Sequence, residues 1–152
     1  VIFNHYELLS VSSFLEAEIG SARYLSRFLL SGLGGSAASF LFHPRVVSAG
    51  ASGAIFGLIG FAIAYYKREG SARAGDIRAF MVRWALYAFL FGFLVRADNF
   101  AHAGGFAAGF LLGSIMETRE DEKARRAGLW KFVAGVLGLA LAASFVLLAR
   151  AR

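Results

Sequence analysis

The sequence predicts an all-α fold, a polytopic bundle of six transmembrane helices, on three observations. Apolar residues make up 58% of the 152 residues and charged residues 17%, against roughly 45–50% and about 25% in soluble domains. Mean hydropathy is +0.61. Long apolar stretches recur along the whole chain, with short polar connections between them. So small a chain has too little interior to hide that much apolar surface from water. A disordered chain is excluded too, because it needs low hydrophobicity.

The stretches follow in order. Val1–Leu15 is the first, and it is short. Residue 1 is Val and the opening Val1-Ile2-Phe3 is already apolar, so the sequence predicts a start inside a hydrophobic segment. No basic leader followed by an apolar run and a small-residue cleavage site is present. Tyr24–Phe42, Val46–Tyr66, Ile77–Val95, Phe100–Met116 and Leu129–Ala149 follow. A bilayer-spanning helix takes about 20 apolar residues, with a range of about 17–25, and these five stretches meet it. Two polar segments, Lys67–Asp76 and Glu117–Arg126, read as connecting loops, and the one proline, Pro44, sits in the turn His43-Pro44-Arg45.

The chain has no cysteine, which excludes disulfides and thiolate metal sites. Three histidines with no cluster of carboxylates give no metal-site pattern either. The net charge of +6 belongs to loops at a membrane surface rather than to a nucleic-acid face, because the arginines are dispersed and no binding motif accompanies them. Arg23, Arg27, Lys67, Arg68, Arg73, Arg78, Arg119, Lys123, Arg125, Arg126 and Lys131 fall on one side of the six-span map. Arg45, Arg96, Arg150 and Arg152 fall on the other. The richer side is cytoplasmic by the positive-inside rule, so the first, third and fifth spans run inward.

That orientation puts Asn4, Ser52 and His102 near the outer starts of the first, third and fifth spans. Ser52 and His102 are expected roughly 5–10 Å below their helix starts, at matched depth on parallel helices. A serine hydroxyl is a poor nucleophile until a base takes its proton, and imidazole is the usual base near neutral pH. The pair is therefore expected within hydrogen-bond reach, about 2.6–3.2 Å or somewhat looser without substrate. Gly50, Gly53, Gly57 and Gly60 leave one helix face nearly bare, as do Gly105, Gly109 and Gly113 on the other helix. Small-residue faces let membrane helices approach closely. The bland alternatives are a serine bonded to its own backbone, a histidine bonded across to another helix, and packing seams with no chemistry. A transporter using Arg83 and Asp98 is a further alternative. It is weakened because Arg83 can snorkel to the cytoplasmic surface and Asp98 suits a helix start.

Gly50-Ala51-Ser52-Gly53-Ala54-Ile55-Phe56-Gly57 resembles the GxSG segment of rhomboid intramembrane serine proteases, and Asp98-Asn99-Phe100-Ala101-His102-Ala103-Gly104-Gly105-Phe106 resembles their AHxxG segment. Val1-Ile2-Phe3-Asn4 is similar to the tail of their HxxxN segment, and Glu16, Gly20 and Arg23 to the turn that follows. The likeness covers nearly the whole chain in the right order. It implies a single rhomboid-like domain over residues 1–152 that lacks the first core span and carries 129–149 as an extra C-terminal span.

The resemblance implies Ser52 as nucleophile and His102 as general base. Asn4 and the Ser52 backbone N–H would be oxyanion donors, with a bare backbone at Gly50. Phe56 would lie against the imidazole, although simple core filling explains an aromatic there equally well. The family's histidine four residues before the asparagine would fall ahead of Val1, and His5 does not replace it. The activity implied is intramembrane endopeptidase cleavage of single-span membrane proteins, without a cofactor. The partners implied are those substrates and the lipid bilayer, not nucleic acid, in a multi-pass protein of a bacterial inner membrane. The alternative is an inactive rhomboid-like protein that binds membrane clients. Such proteins usually lose the serine, the histidine or both, whereas both residues stand here.

Overall fold

The structure, a computed structural model, describes residue 12 and residues 14–44 and 51–150. Among them every regular element is helical: after a helical segment at 14–19 come α1 Ser21–Phe42, α2 Ser52–Glu69, α3 Ala72–Leu94, α4 Asn99–Ile115, α5 Glu120–Arg125 and α6 Ala127–Arg150. The expected first stretch, Val1–Leu15, lies almost wholly outside the described residues.

The centre of the bundle is α2. Its residues are buried without interruption from Gly53 to Tyr66, as befits a helix that is apolar or small all round. Its closest partner is α4, and the two run parallel. Gly53 lies against Ala101. A Cβ on Gly105 would run into the Gly53 carbonyl, and one on Gly109 into the Gly57 carbonyl. The glycine faces therefore bring the two backbones into direct contact, as their spacing predicts. Helix α1 runs antiparallel to α4, with Gly34 beside Ala108 and Ala38 beside Gly104. The face that α1 buries carries Arg23, Ser26, Arg27, Ser31, Gly35 and Ser39, while Leu33, Phe40 and Leu41 are 59–74% exposed. An outward apolar face with polar groups turned inward suits a lipid surround rather than water.

Among the described residues, three helices are long and apolar enough to cross a membrane: α1, α3 and α6. The other two expected spans are shorter or carry charge. Helix α4 has 17 residues, and α2 ends on Lys67-Arg68-Glu69.

The connections are tighter than the sequence suggests. The expected loop Lys67–Asp76 shrinks to two residues. Gly70 ends α2 in the left-handed conformation at φ 79°, which glycine adopts without a Cβ penalty. The Ser71 hydroxyl then caps α3 by accepting from Ala74 N–H at 3.1 Å. Charged residues count as loop in a hydropathy reading, yet each helix continues through them because its caps lie further out. The second expected loop, Glu117–Arg126, holds the short helix α5, with Glu120, Asp121 and Glu122 in its first turn and Lys123 and Arg125 in its last, as the helix dipole favours.

Five of the basic residues assigned to one side, Arg23, Arg27, Arg68, Lys123 and Arg126, assemble at one end of the bundle. Arg23 donates to the Lys123 carbonyl, Arg68 donates to the Met116 carbonyl at 2.6 Å, and Arg27 stacks over Trp130 at 3.4 Å from the ring centroid. Glu117 is buried there and accepts from Arg126 at 2.7 Å. Burial pushes the Glu117 carboxyl up, but its hydrogen bonds from backbone and Arg126, with the charges of Arg126 and Arg23, outweigh this and hold it below the usual carboxylate range. A depressed folded-state value adds stability above the unfolded value of about 4.3, and that stability is lost as pH falls through the folded value. Melting in detergent should therefore weaken below about pH 4, less steeply in Glu117→Gln. Arg126→Ala, which leaves Glu117 buried with fewer donors, should cost about 1–3 kcal/mol near neutral pH.

Candidate active site

Ser52 and His102 are brought to the same level by the α2–α4 seam, because Gly53, next to Ser52, rests on Ala101, next to His102. Ser52 sits nearer its helix start than the stretch Val46–Tyr66 suggests, and His102 one residue further from its start than Phe100–Met116 suggests. Ser52 is the first residue of α2, after an N-cap at Ala51. The Ala51 carbonyl accepts the first helical bond from Ile55 N–H at 3.0 Å, which is what sets the start there. His102 is the fourth residue of α4. Ser52 is half-buried, and His102 is 4% exposed.

Helix α4 begins on a built cap. The Asp98 carboxylate accepts from Ala101 N–H at 3.1 Å and also from the Ser39 hydroxyl of α1. A carboxylate there suits the positive end of the helix dipole. Asp98 therefore ties α1 to the turn that carries His102, which leaves less for an ion-transport role. Asp98→Ala should lower stability by about 0.5–2 kcal/mol, read as a lower melting temperature in detergent.

The imidazole is held on two sides. Phe56, one turn beyond Ser52 on α2, stacks on it with centroids 4.3 Å apart and planes 13° from parallel. Its Nδ1 lies 3.1 Å from Asn99 Oδ1. Asn99 is one turn back on the same helix, the i, i+3 relation that puts two side chains together. A carbonyl oxygen only accepts, so this contact is a hydrogen bond in the tautomer with Nδ1 protonated and the lone pair on Nε2. Nε2 is buried and without a hydrogen-bond partner among the described residues. The Ser52–His102 hydrogen bond expected from the sequence is accordingly not formed. Ser52 instead lines a cavity of about 490 Å³ between α1, the start of α2 and α6, shared with Ser36, Ser39, His43 and Ser144.

Asn4 and Gly50 lie outside the described residues. His5 does as well. His43, at the end of α1, packs edge-on to Phe100 at 4.9 Å. Among the described residues no group of His, Asp and Glu side chains is placed to hold a metal ion. The sequence reading gave no role to Asn99 or Ser39. The i, i+3 spacing of Asn99 and His102 was the available signal for the first, whereas the second depends on tertiary packing.

The chain matches the family model described as Rhomboid domain over residues 1–119. The chain belongs to the rhomboid family. RHOMBOID-like protein 1 of Arabidopsis thaliana is 37% identical over 121 residues, covering 78% of this rhomboid chain and 31% of that protein. Rhomboid protease GluP of Bacillus subtilis (strain 168) is 36% identical over 147 residues, covering 95% of the chain and 28% of that protein. Inactive RHOMBOID-like protein 8 of Arabidopsis thaliana is 33% identical over 108 residues, covering 70% of the chain and 31% of that protein. The chain thus spans about a third of the length of the curated relatives it matches. No solved structure matches it. Family membership and three long apolar helices make this rhomboid chain an integral membrane protein.

Proposed function

We propose that the chain is the core of an intramembrane serine endopeptidase that cleaves single-span membrane proteins. The observation that carries the reading is the orphaned, stacked His102. A buried imidazole with Nδ1 protonated and Nε2 bare is a base awaiting a proton, and the neighbouring helix starts on Ser52. In this reading the Ser52 hydroxyl swings toward Nε2 and attacks the scissile carbonyl, and His102 takes its proton. The tetrahedral oxyanion accepts hydrogen bonds from the Asn4 side-chain amide and the Ser52 N–H, in a segment that Gly50 leaves bare. His102 then protonates the leaving amine, and water releases the acyl group by the reverse path. Phe56 keeps the imidazole in plane throughout. Ser36, Ser39 and Ser144 give the adjoining cavity hydroxyls that favour entry of the hydrolytic water.

The membrane arrangement proposed with it has six spans in one domain over residues 1–152. Helices α2 and α4 embed behind α1, α3 and α6, the first stretch completes the site with Asn4, and α6 is an added span. The end holding Arg23, Arg27, Arg68, Lys123 and Arg126 faces the cytoplasm, and a bacterial inner membrane is the proposed location. A second reading has a specific observation behind it: Ser52 and His102 share no hydrogen bond, and one relative is named as inactive. An inactive client-binding protein would retain substrate without cutting it.

The test is cleavage of a single-span substrate by the full-length protein in liposomes, followed by gel. Product that depends on both Ser52 and His102 supports the protease. Stable co-purification of substrate with no product from the native protein supports the client-binding reading.

A further inference from the structure

We infer that Asn99 is the residue that positions the catalytic base by fixing the tautomer of His102, whose plane Phe56 holds. The inference rests on the protease reading and adds to it a role for Asn99, one turn before His102 at the start of α4. A neutral imidazole exists in two tautomers, and only the one with a bare Nε2 can take a proton from Ser52. Stacking on Phe56 fixes the plane of the ring but not which nitrogen holds the proton, because the face of an aromatic ring does not distinguish them. The contact at 3.1 Å from Nδ1 to Asn99 Oδ1 does distinguish them. In the tautomer with Nε2–H, the Nδ1 lone pair would face the acceptor Oδ1 and the buried Nε2–H would have no acceptor, so that tautomer is disfavoured wherever Asn99 Oδ1 faces Nδ1.

The surroundings are shaped for this pair. Gly92 of α3 faces it with bare backbone: a Cβ there would stand 2.5 Å from Asn99 Oδ1 and 3.4 Å from His102 Nδ1. Any larger residue at 92 would push the amide off the ring. From α2 the imidazole meets the uncharged Phe56 ring, and from α3 it meets Gly92. Among the described residues the ionised group acting on it is Asp98, on its own helix. An amide rather than a carboxylate beside Nδ1 orients the ring without a second negative charge, so the imidazolium is not over-stabilised once it forms.

Two measurements on the full-length protein test this. Nitrogen-15 NMR of the histidines in detergent, assigned with His5→Gln and His43→Gln variants, reads the His102 tautomer directly and needs no activity. The native protein should show Nδ1–H, and Asn99→Leu should show loss of that preference. In liposomes, Asn99→Leu should lower kcat for a single-span substrate by about tenfold or more with KM little changed. Asn99→Asp keeps an acceptor on Nδ1 and should restore much of the rate. Its carboxylate favours the imidazolium, so the acidic limb of its pH–rate profile should move up by about one unit. Gly92→Ala should resemble Asn99→Leu in the tautomer measurement.

An Nε2–H tautomer in the native protein would overturn the inference. So would a native tautomer together with a native rate in Asn99→Leu. If Ser52→Ala still cleaves, the protease reading fails, and the tautomer measurement alone then decides what Asn99 does. If Ser52→Ala is inactive while the Asn99 variants match the native protein in rate and profile, the protease reading stands and the role given to Asn99 falls.

Discussion

Ser52→Ala in the full-length protein is expected to lower cleavage of a single-span substrate by at least about 10⁴-fold, to the level of substrate in empty vesicles. Alanine removes the only atom that would bond to the scissile carbonyl. Nothing else on the first turn of α2 can replace it, since Ala51, Gly53 and Ala54 carry no nucleophile. The fold should survive. Ser52 makes no hydrogen bond among the described residues, is half-buried, and begins a helix whose interior already tolerates small residues. Alanine also favours a helix more than serine does. His102→Ala should lose nearly as much, and the double variant little more, because nucleophile and base act as one unit. Asn4→Ala should lose about 10²–10³, the usual effect of one oxyanion donor among several. Melting curves in detergent separate lost chemistry from lost fold. Native cleavage by a folded Ser52→Ala protein would show that the nucleophile lies elsewhere.

Gly109→Leu is expected to destabilise the bundle by at least about 3 kcal/mol, at or beyond the upper end of overpacking effects. The reason is what the new side chain would strike. A Cβ at 109 runs into the carbonyl oxygen of Gly57, and backbone cannot rotate away as a side chain can. The helices would have to separate along the whole seam, which also carries Gly53, Gly57, Gly105 and Gly113. Gly57→Leu should behave alike, because its Cβ would strike Ser31 of α1 and approach the Gly105 carbonyl at 3.0 Å. Gly135→Leu on α6, where a Cβ meets nothing within 4 Å, is the control and should melt close to the native protein. Native melting temperatures for Gly57→Leu and Gly109→Leu would mean that the seam does not hold the fold.

Much of this architecture was legible beforehand because it is written in periodicities. The glycine spacing on two alternate stretches predicted two bare faces in contact, and Gly53–Ala101 and Gly57–Gly109 meet as that spacing requires. The family was legible from two short segments in the right order. Element ends were less legible. Hydropathy stops at the first charge, whereas α2 continues through Lys67-Arg68-Glu69 to the glycine that can turn the chain. Least legible was how the candidate base is held. Ser39 and Asp98 are 59 residues apart and meet only because α1 crosses α4. The bond from His102 to Asn99 is local, but seeing it matter requires knowing that Gly92 closes over both.

The burial of α2 from Gly53 to Tyr66 has a consequence for how the chain is made. A helix whose surface is ridged with glycine exposes backbone that lipid tails solvate poorly, and α2 carries Gly53, Gly57 and Gly60 on that surface. Its terminal Lys67-Arg68-Glu69 further weakens its case for entering the bilayer alone. Its favourable surroundings are other helices, and the one that contacts it most, α4, is synthesised after it. During synthesis α2 therefore waits at the membrane for a partner not yet made. Truncating nascent chains before α4 should leave α2 accessible to aqueous labelling reagents, and extending them past Ile115 should protect it.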